Sequence, residues 1–132
     1  MDFRHITTIK VQFRDVDSLG HVNNAVYLSY LETGRVEFCE QAFGPEGFER
    51  FPFILAEVRV KFLAPAFMSE LIELWMRVSD VGRKSFRFEY HLRANEDERM
   101  ICEAESVQVM YDYRAGKTTP VPSEWRRIVE SL

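Results

Sequence analysis

The sequence predicts an α+β fold in which one long central helix packs against a five-stranded antiparallel sheet. Two observations support this prediction. A helical pattern covers residues 24–43, and alternating apolar and polar side chains mark one strand before the helix and four after it. The length of 132 residues predicts a single domain, residues 1–132.

The first strand is predicted over residues 6–14, where Val11 and Phe13 alternate with polar neighbours. Residues 15–23 are polar and contain Gly20, which is typical of a loop. The chain therefore enters the long helix from a polar connection rather than from a tight turn.

The helix is predicted over residues 24–43, with Asn23 or Asn24 as its N-cap and Gly44 with Pro45 at its end. Its apolar stripe recurs at spacings of three and four residues. The stripe consists of Tyr27, Leu31, Gly34 and Phe38, widened by Leu28 and Tyr30. Since glycine weakens a helix by about 1 kcal/mol relative to alanine, Gly34 predicts a close approach of this helix to the sheet.

The remaining chain predicts four strands in meander-like succession, followed by a short C-terminal helix from Pro122 around Trp125 and Ile128. The strands are residues 54–63, 70–79, 84–94 and 99–113. The last strand changes the parity of its apolar residues, which predicts a β-bulge near Glu105–Ser106. One helix leaves part of such a sheet uncovered, so this layout favours a homodimer that joins sheets edge to edge.

Composition excludes several classes of function. The net charge is -4 and no block of Lys and Arg occurs, which disfavours nucleic-acid binding. Neither a signal peptide nor a membrane-length apolar segment is apparent, so we expect a cytoplasmic protein. Cys39 and Cys102 lack the spacing of metal ligands, and we expect no metal and no cofactor.

The stretch from residue 14 to residue 24 concentrates the reactive side chains. It holds two carboxylates, a histidine, two asparagines and a glycine between a strand end and a helix start. Cleavage of a thioester needs a base or nucleophile near the carbonyl carbon, and hydrogen-bond donors where the oxyanion develops. The free N–H groups and positive dipole end of a helix N-terminus can supply those donors.

The run D-x-D-x-x-G-H-V-N-N-A-x-Y, residues 15–27, resembles the 4-hydroxybenzoyl-CoA thioesterase branch of the hotdog superfamily. It is most similar to the acyl-CoA thioesterases of the GHVNN type. The resemblance covers nearly the whole chain and includes the softer motif G-R-K-S-F at residues 82–86. It implies a hotdog fold, in which the sheet wraps around the long helix.

The resemblance also implies a function, which is hydrolysis of an acyl-CoA. Asp17 would be the nucleophile or the general base, and the helix-start amide near Asn24 would polarise the thioester carbonyl. Coenzyme A would lie along the 83–85 region, where Arg83 and Lys84 meet its phosphates beside Ser85, with Arg59 and Lys61 as weaker candidates. The family forms homodimers or dimers of dimers, that is homotetramers, with active sites between subunits. Some relatives carry aromatic or small apolar residues where this chain has His21 and Asn23. We therefore do not expect this chain to share the benzoyl specificity of that branch.

Each candidate also has a structural interpretation. Asp17 could cap a turn, His21 could be a general base or a backbone-bonding loop residue, and Asn23 could cap the helix rather than bind substrate. Tyr27 fits a pocket wall or the core, and Asp15 fits a structural turn residue or a partner of Arg14. The helix carboxylates Glu32, Glu37 and Glu40 fit a solvated face, with Glu57 on the second strand as an outside candidate for catalysis. The alternative functions are an acyl-thioester hydratase or dehydratase and a non-catalytic acyl-CoA binding protein.

Overall fold

A computed structural model describes residues 2–132 of the chain and confirms the α+β prediction, including the C-terminal helix. The helix α2 and the two-residue strand β6 are additional to the sequence prediction. In chain order the elements are β1 (Arg4–Lys10), α1 (Val26–Phe43), α2 (Gly47–Arg50), β2 (Phe53–Phe62), β3 (Leu71–Val81), β4 (Ser85–Ala94), β5 (Met100–Asp112), β6 (Lys117–Thr118) and α3 (Ser123–Glu130).

The strand order in the antiparallel sheet is β1-β3-β4-β5-β2, with β6 paired to β5. The prediction of a four-strand meander is therefore wrong for β2, which pairs with β5 instead of β3. The reason is the connection at residues 63–70, which crosses the end of the sheet and delivers the chain to β3 beside β1. As a result β2 lies at a sheet edge.

The first strand is shorter than predicted and ends at Lys10. Val11 is buried, whereas Phe13 is 80% exposed, so the predicted shared face of these two residues is wrong. Residues 13–15 instead form a single 3-10 turn. The Asp15 carboxylate accepts the backbone N–H of Gln12 at 2.9 Å, and this local bond replaces a further rung of the sheet.

Helix α1 packs its stripe on the inner face of the sheet, and Tyr27, Leu31 and Phe38 are buried. The close approach predicted from Gly34 is confirmed, because a Cβ there would overlap the side chain of Leu74 and come 2.9 Å from the sulfur of Met76. Leu28 does not belong to the buried stripe, since it is 44% exposed.

Strand β5 has no bulge at Glu105–Ser106, where its register with both neighbours is continuous. The predicted change of parity is therefore wrong. The inward positions simply become polar, and Ser106 and Gln108 are fully buried while Val107 faces outward. These two polar side chains are tolerated because they hydrogen-bond each other and Ser106 bonds Tyr90.

Helix α3 covers the end of the core that lies farthest from the start of α1. Trp125 is buried there, with its ring centroid 4.6 Å from that of Phe86 and 6.3 Å from that of Phe43. Within residues 2–132, no helix is both long and apolar enough to cross a membrane.

Candidate active site

The loop between β1 and α1 folds back on itself through a bridge between Val16 and Val22. At its tip, one carboxylate oxygen of Asp17 accepts the N–H of Leu19 at 2.9 Å and that of His21 at 3.3 Å. Gly20 adopts a φ of 81°, which L side chains rarely adopt. Asp17 thus caps this turn with one carboxylate oxygen. Its other oxygen accepts no hydrogen bond among the described residues, and Asp17 is exposed to solvent. Turn capping therefore leaves half of the carboxylate available for chemistry.

Asp15, the other carboxylate of the loop, has only structural partners. Its Oδ2 accepts the hydroxyl of Tyr30 at 2.8 Å, and its carbonyl accepts the N–H of Asn23 at 2.9 Å. Arg14 forms no ion pair within residues 2–132. Burial, and then the neighbouring carboxylate, raise the pKa of Tyr30, so this phenol remains a proton donor to Asp15. Asp15 therefore ties the loop to helix α1.

Within residues 2–132, the backbone N–H of Asn24 is free at the start of α1. The side-chain oxygen of Asn23 accepts the N–H of Ala25 at 2.9 Å, and its carbonyl accepts that of Val26 at 2.8 Å. Helix α1 begins at Val26 rather than at residue 24, with Ala25 at its N-cap position and no side-chain cap, so the N-cap predicted at Asn23 or Asn24 is wrong. Asn23 instead closes the turn that leads into the helix. The N–H of Asn24 donates to no group among the described residues, and Asn24 is exposed. A free amide thus lies at the positive end of the α1 dipole, two residues after the hairpin that carries Asp17.

His21 is placed by its backbone, which forms an isolated bridge with Phe67. Its half-buried ring contacts the Phe67 ring edge-on, with centroids 5.3 Å apart. Neither ring nitrogen forms a hydrogen bond in the part of the chain that the structure describes. The backbone of His21 therefore helps to shape the loop. Within residues 2–132 no carboxylate bonds its ring nitrogens and orients them.

The loop rests on the connection at residues 63–70. The N–H of Val22 donates to the Ala66 carbonyl at 2.9 Å, and the N–H of Ala66 donates to the Tyr27 hydroxyl at 3.2 Å. Tyr27 is 2% exposed, and burial raises its pKa to about 12. Tyr27 is therefore a core residue that supports the loop, and it stays protonated at neutral pH.

Arg99, in the β4–β5 turn, holds this connection in place, although no sequence motif marks this residue. Its guanidinium donates to both carboxylate oxygens of Glu70, at 2.6 and 2.8 Å, to Asp97 at 2.7 Å and to the Pro65 carbonyl at 3.2 Å. Glu70 in turn accepts the N–H of Phe67 at 2.9 Å. The sequence shows only a charged turn here, because the partners come from residues about thirty positions earlier in the chain.

Within one chain the predicted coenzyme A residues lie far from Asp17. The loop adjoins Leu71 at the start of β3, whereas Arg83, Lys84 and Ser85 follow the end of that strand. A strand of 11 residues spans about 33 Å. Lys84 donates to the Thr118 hydroxyl at 3.1 Å, and Arg83 is exposed. A single chain therefore does not bring the two parts of the predicted site together.

The weaker candidates lie elsewhere on the surface. Arg59 is exposed and pairs with Glu105 at 2.6 Å on the outer face of the sheet, where Lys61 is also exposed. Among the carboxylates that were weighed against Asp17, Glu37 is half-buried and the others are exposed, namely Glu32, Glu40 and Glu57.

A groove runs between α1 and the edge strand β2. One compartment of about 170 Å³ is lined by Leu28, Ser29, Glu32, Arg35, Leu55 and Val58. A second compartment of about 340 Å³ continues past Arg35 toward Val36, Phe48 and Ile54. Arg35 is only 8% exposed and lines both compartments. Its place on the buried stripe, one turn after Leu31, was the sequence signal that could have identified it.

Comparisons with known proteins identify relatives of this chain. The family model of the thioesterase-like superfamily matches residues 11–129. The long-chain acyl-CoA thioesterase FadM of Escherichia coli K12 is 24% identical over 128 residues, which are 96% of this chain and 97% of FadM. The chloroplastic acyl-acyl carrier protein thioesterase ATL2 of Arabidopsis thaliana is 30% identical over 92% of this chain and 66% of ATL2.

A solved structure extends the comparison to three dimensions. A Thermus thermophilus thioesterase in complex with coenzyme A and zinc superposes with a TM-score of 0.85 and 32% identity, covering 95% of this chain and 90% of that chain. The predicted hotdog fold is thereby confirmed. The family match covers most of the chain, and this protein belongs to the thioesterase-like superfamily.

Proposed function

We propose that this protein hydrolyses an acyl-CoA thioester to the free acid and coenzyme A. The relatives named acyl-CoA thioesterases and the coenzyme A complex of the Thermus protein support this substrate class. The observation that carries the proposal is the presence, in the short segment between β1 and α1, of a carboxylate at Asp17 with one free oxygen and of an unbonded amide at Asn24. The GHVNN motif, residues 20–24, supports assignment to the 4-hydroxybenzoyl-CoA branch, and we propose no aromatic specificity for this chain.

The chemistry follows from these two groups. The N–H of Asn24 donates to the thioester oxygen and stabilises the negative charge that develops there. Asp17 either takes a proton from water, which attacks the carbonyl carbon, or attacks that carbon itself and forms an anhydride that water then cleaves. In both routes the C–S bond breaks, the thiolate of coenzyme A leaves, and the proton removed from water ends on that thiolate. Asn23 and Tyr27 hold the helix start and the loop in place.

A second copy of the chain completes the site in this proposal. Strand β2 begins at Phe53, at the end of the sheet near Ser85. It ends at Phe62, whose ring centroid lies 5.5 Å from that of Tyr27 near the start of α1. Antiparallel pairing of two β2 edges about a twofold axis reverses one copy relative to the other. It would therefore move the partner's 83–85 turn toward the Asp17 end of the first copy, where Arg83 and Lys84 can meet the phosphates of coenzyme A.

The test is the variant Asp17→Asn, which keeps the size of the side chain and its Oδ1 acceptor. We expect kcat for thiol release to fall by about 10²–10⁴-fold, with circular dichroism and coenzyme A binding unchanged. The exposed Asp80→Asn on β3 is the matched control and should retain wild-type activity. Full activity in Asp17→Asn would contradict the role of Asp17.

Hydration of an enoyl-CoA without thiol release would instead favour a hydratase, and tight retention of acyl-CoA without turnover would favour a binding protein.

A further inference from the structure

Arg35 is a buried cation without an anion. It is 8% exposed, yet it forms no ion pair with any carboxylate among the described residues. Glu32, one turn earlier on α1, lines the same groove but is exposed and unpaired with it. Burying a charge in an apolar setting is unfavourable unless hydrogen bonds or an opposite charge compensate it.

The polar chain beneath Arg35 uses one nitrogen of the guanidinium. Nη1 donates to the Tyr90 hydroxyl at 3.1 Å, Tyr90 bonds Ser106, and Ser106 bonds the oxygen of Gln108. The amide of Gln108 donates to the Phe86 carbonyl at 3.2 Å. Because arginine only donates and a carbonyl only accepts, the direction of every bond in this chain is fixed. The chain therefore orients Arg35 and leaves its remaining N–H groups for the groove.

The groove above Arg35 is otherwise mainly apolar. Leu28 forms one wall on α1, Leu55 and Val58 form the other on β2, and Val36 extends it beyond Arg35. An aliphatic chain in this groove would remove water from the guanidinium and give it no acceptor in return. An oxygen on that chain would restore a hydrogen bond, and bonds to charged groups are among the stronger ones in proteins.

The groove lies on the side of α1 that leads back to the start of the helix. Ala25, Leu28, Glu32 and Arg35 follow one another at helical spacing along one side of the helix. At a rise of about 1.5 Å per residue, Arg35 lies roughly 16 Å along the axis from Asn24. A tail that leaves a carbonyl at Asn24 thus passes Leu28 before it reaches Arg35.

We propose that Arg35 selects acyl groups whose tail carries a hydrogen-bond-accepting oxygen, such as a hydroxyl, keto or carboxylate group, over plain aliphatic chains. This substrate class rests on the proposed thioesterase function, since the tail is taken to start at the Asn24 amide. Arg35 acts on binding of the distal tail and not on the reacting carbonyl.

The first experiment compares kcat/KM for acyl-CoAs of matched length, from six to sixteen carbons, with and without an oxygen at the far end. In the wild type we expect the oxygenated member to be preferred at the chain length that reaches Arg35. Arg35→Met should reduce this preference by about tenfold or more and leave the plain chains less affected. Arg35→Lys should retain part of the preference. Arg127→Met, on the exposed side of α3, is the matched control.

The second experiment measures binding without hydrolysis. Calorimetry with a free hydroxy fatty acid and its plain counterpart reports the preference even if no thioester is cleaved. Tighter binding of the hydroxy acid without any hydrolysis of acyl-CoA would refute the proposed function and leave Arg35 as a tail-binding residue. Hydrolysis without preference would refute the Arg35 inference alone.

Two further outcomes would overturn the inference. An equal loss on all substrates in Arg35→Met, with a lowered melting temperature, would make Arg35 a purely structural residue. A shift of Arg35→Met toward single chains in sedimentation velocity, relative to wild type, would show that Arg35 acts at the proposed subunit interface rather than on the acyl tail. Tyr90→Phe removes the hydroxyl that orients Arg35 and leaves the guanidinium, so it should reduce the preference less than Arg35→Met does.

Discussion

At the scale of single residues, what a side chain does depends on which of its atoms remain free. Asp15 and Asp17 stand two positions apart, yet the carboxylate of the first bonds Tyr30 and Gln12 while the second keeps one oxygen unbonded. The sequence motif could single out Asp17 as the candidate carboxylate. The N-cap predicted at Asn23 or Asn24 lies instead at Ala25, because the Asn23 side chain closes the turn before the helix. The burial of Ser106 and Gln108 could not be predicted, because their compatibility with the core depends on a tyrosine of another strand.

Glu73 offers a test at the residue scale through its pH dependence. Its carboxylate accepts hydrogen bonds from Arg93, Trp75 and Asn95, and these lower its pKa to about 2. Because the folded pKa is depressed, the stabilisation is complete above the unfolded value near 4.5 and is lost as the pH falls toward 2. Glu73→Gln should therefore have a lower free energy of unfolding than wild type at pH 7. Urea titrations should show that the difference in free energy of unfolding between Glu73→Gln and wild type disappears between pH 4.5 and pH 2. A difference that does not depend on pH would contradict the lowered pKa of Glu73.

At the scale of elements, helix α1 is held against the sheet at Gly34. Gly34→Ala would add about 0.5–1 kcal/mol of helix propensity, but the new methyl group overlaps Leu74 and crowds Met76. Overpacking of this kind costs typically about 1–3 kcal/mol, so we expect net destabilisation in chemical unfolding. Thr33→Ala, on the exposed side of the same turn, is the control and should be close to neutral. A stabilised Gly34→Ala would mean that the helix can move away from β3.

The connection at residues 63–70 is the element that positions the candidate catalytic loop, and Arg99 fastens it. Arg99→Met should lower kcat more than it raises KM, because the loop loses its support while the groove is untouched. Hydrogen exchange should become faster at the amides of Val22 and Ala66, which donate to the Ala66 carbonyl and to the Tyr27 hydroxyl respectively. Arg99→Lys should restore part of kcat through Glu70. If Arg99→Met is less stable but kcat does not fall more than KM rises, Arg99 has a structural role only.

At the scale of the whole molecule, the element pattern identified most of the fold but not the place of β2. Hydrophobic alternation specifies which residues pair into strands, and it does not specify which strands become neighbours. Residues 63–70 carry no sequence signal that distinguishes a hairpin from a crossing connection. The same crossing puts β2 at an edge with Leu55 and Phe62 over 40% exposed, which supports the proposed homodimer.

Sedimentation velocity tests that edge. We expect a mass of two chains or a multiple of it for the wild type, and Leu55→Lys should shift the equilibrium toward single chains by placing a charge on the proposed interface. Activity per chain should then fall on dilution and recover at high concentration. Leu132→Lys, at the exposed end of the chain after α3, is the control. A fully active single chain at nanomolar concentration would contradict a shared site.

The separation of Asp17 from the 83–85 turn by the length of β3 has a genetic consequence. If each site takes its carboxylate from one copy and its phosphate-binding turn from the other, two differently damaged chains can rescue each other. Asp17→Asn and the double variant Arg83→Ala/Lys84→Ala would each be impaired alone, yet a hybrid of the two contains one undamaged site. Random mixing yields hybrids in about half of the dimers, so on the order of a quarter of wild-type sites would return. Co-expression of two defective alleles would then restore a phenotype that neither supports alone.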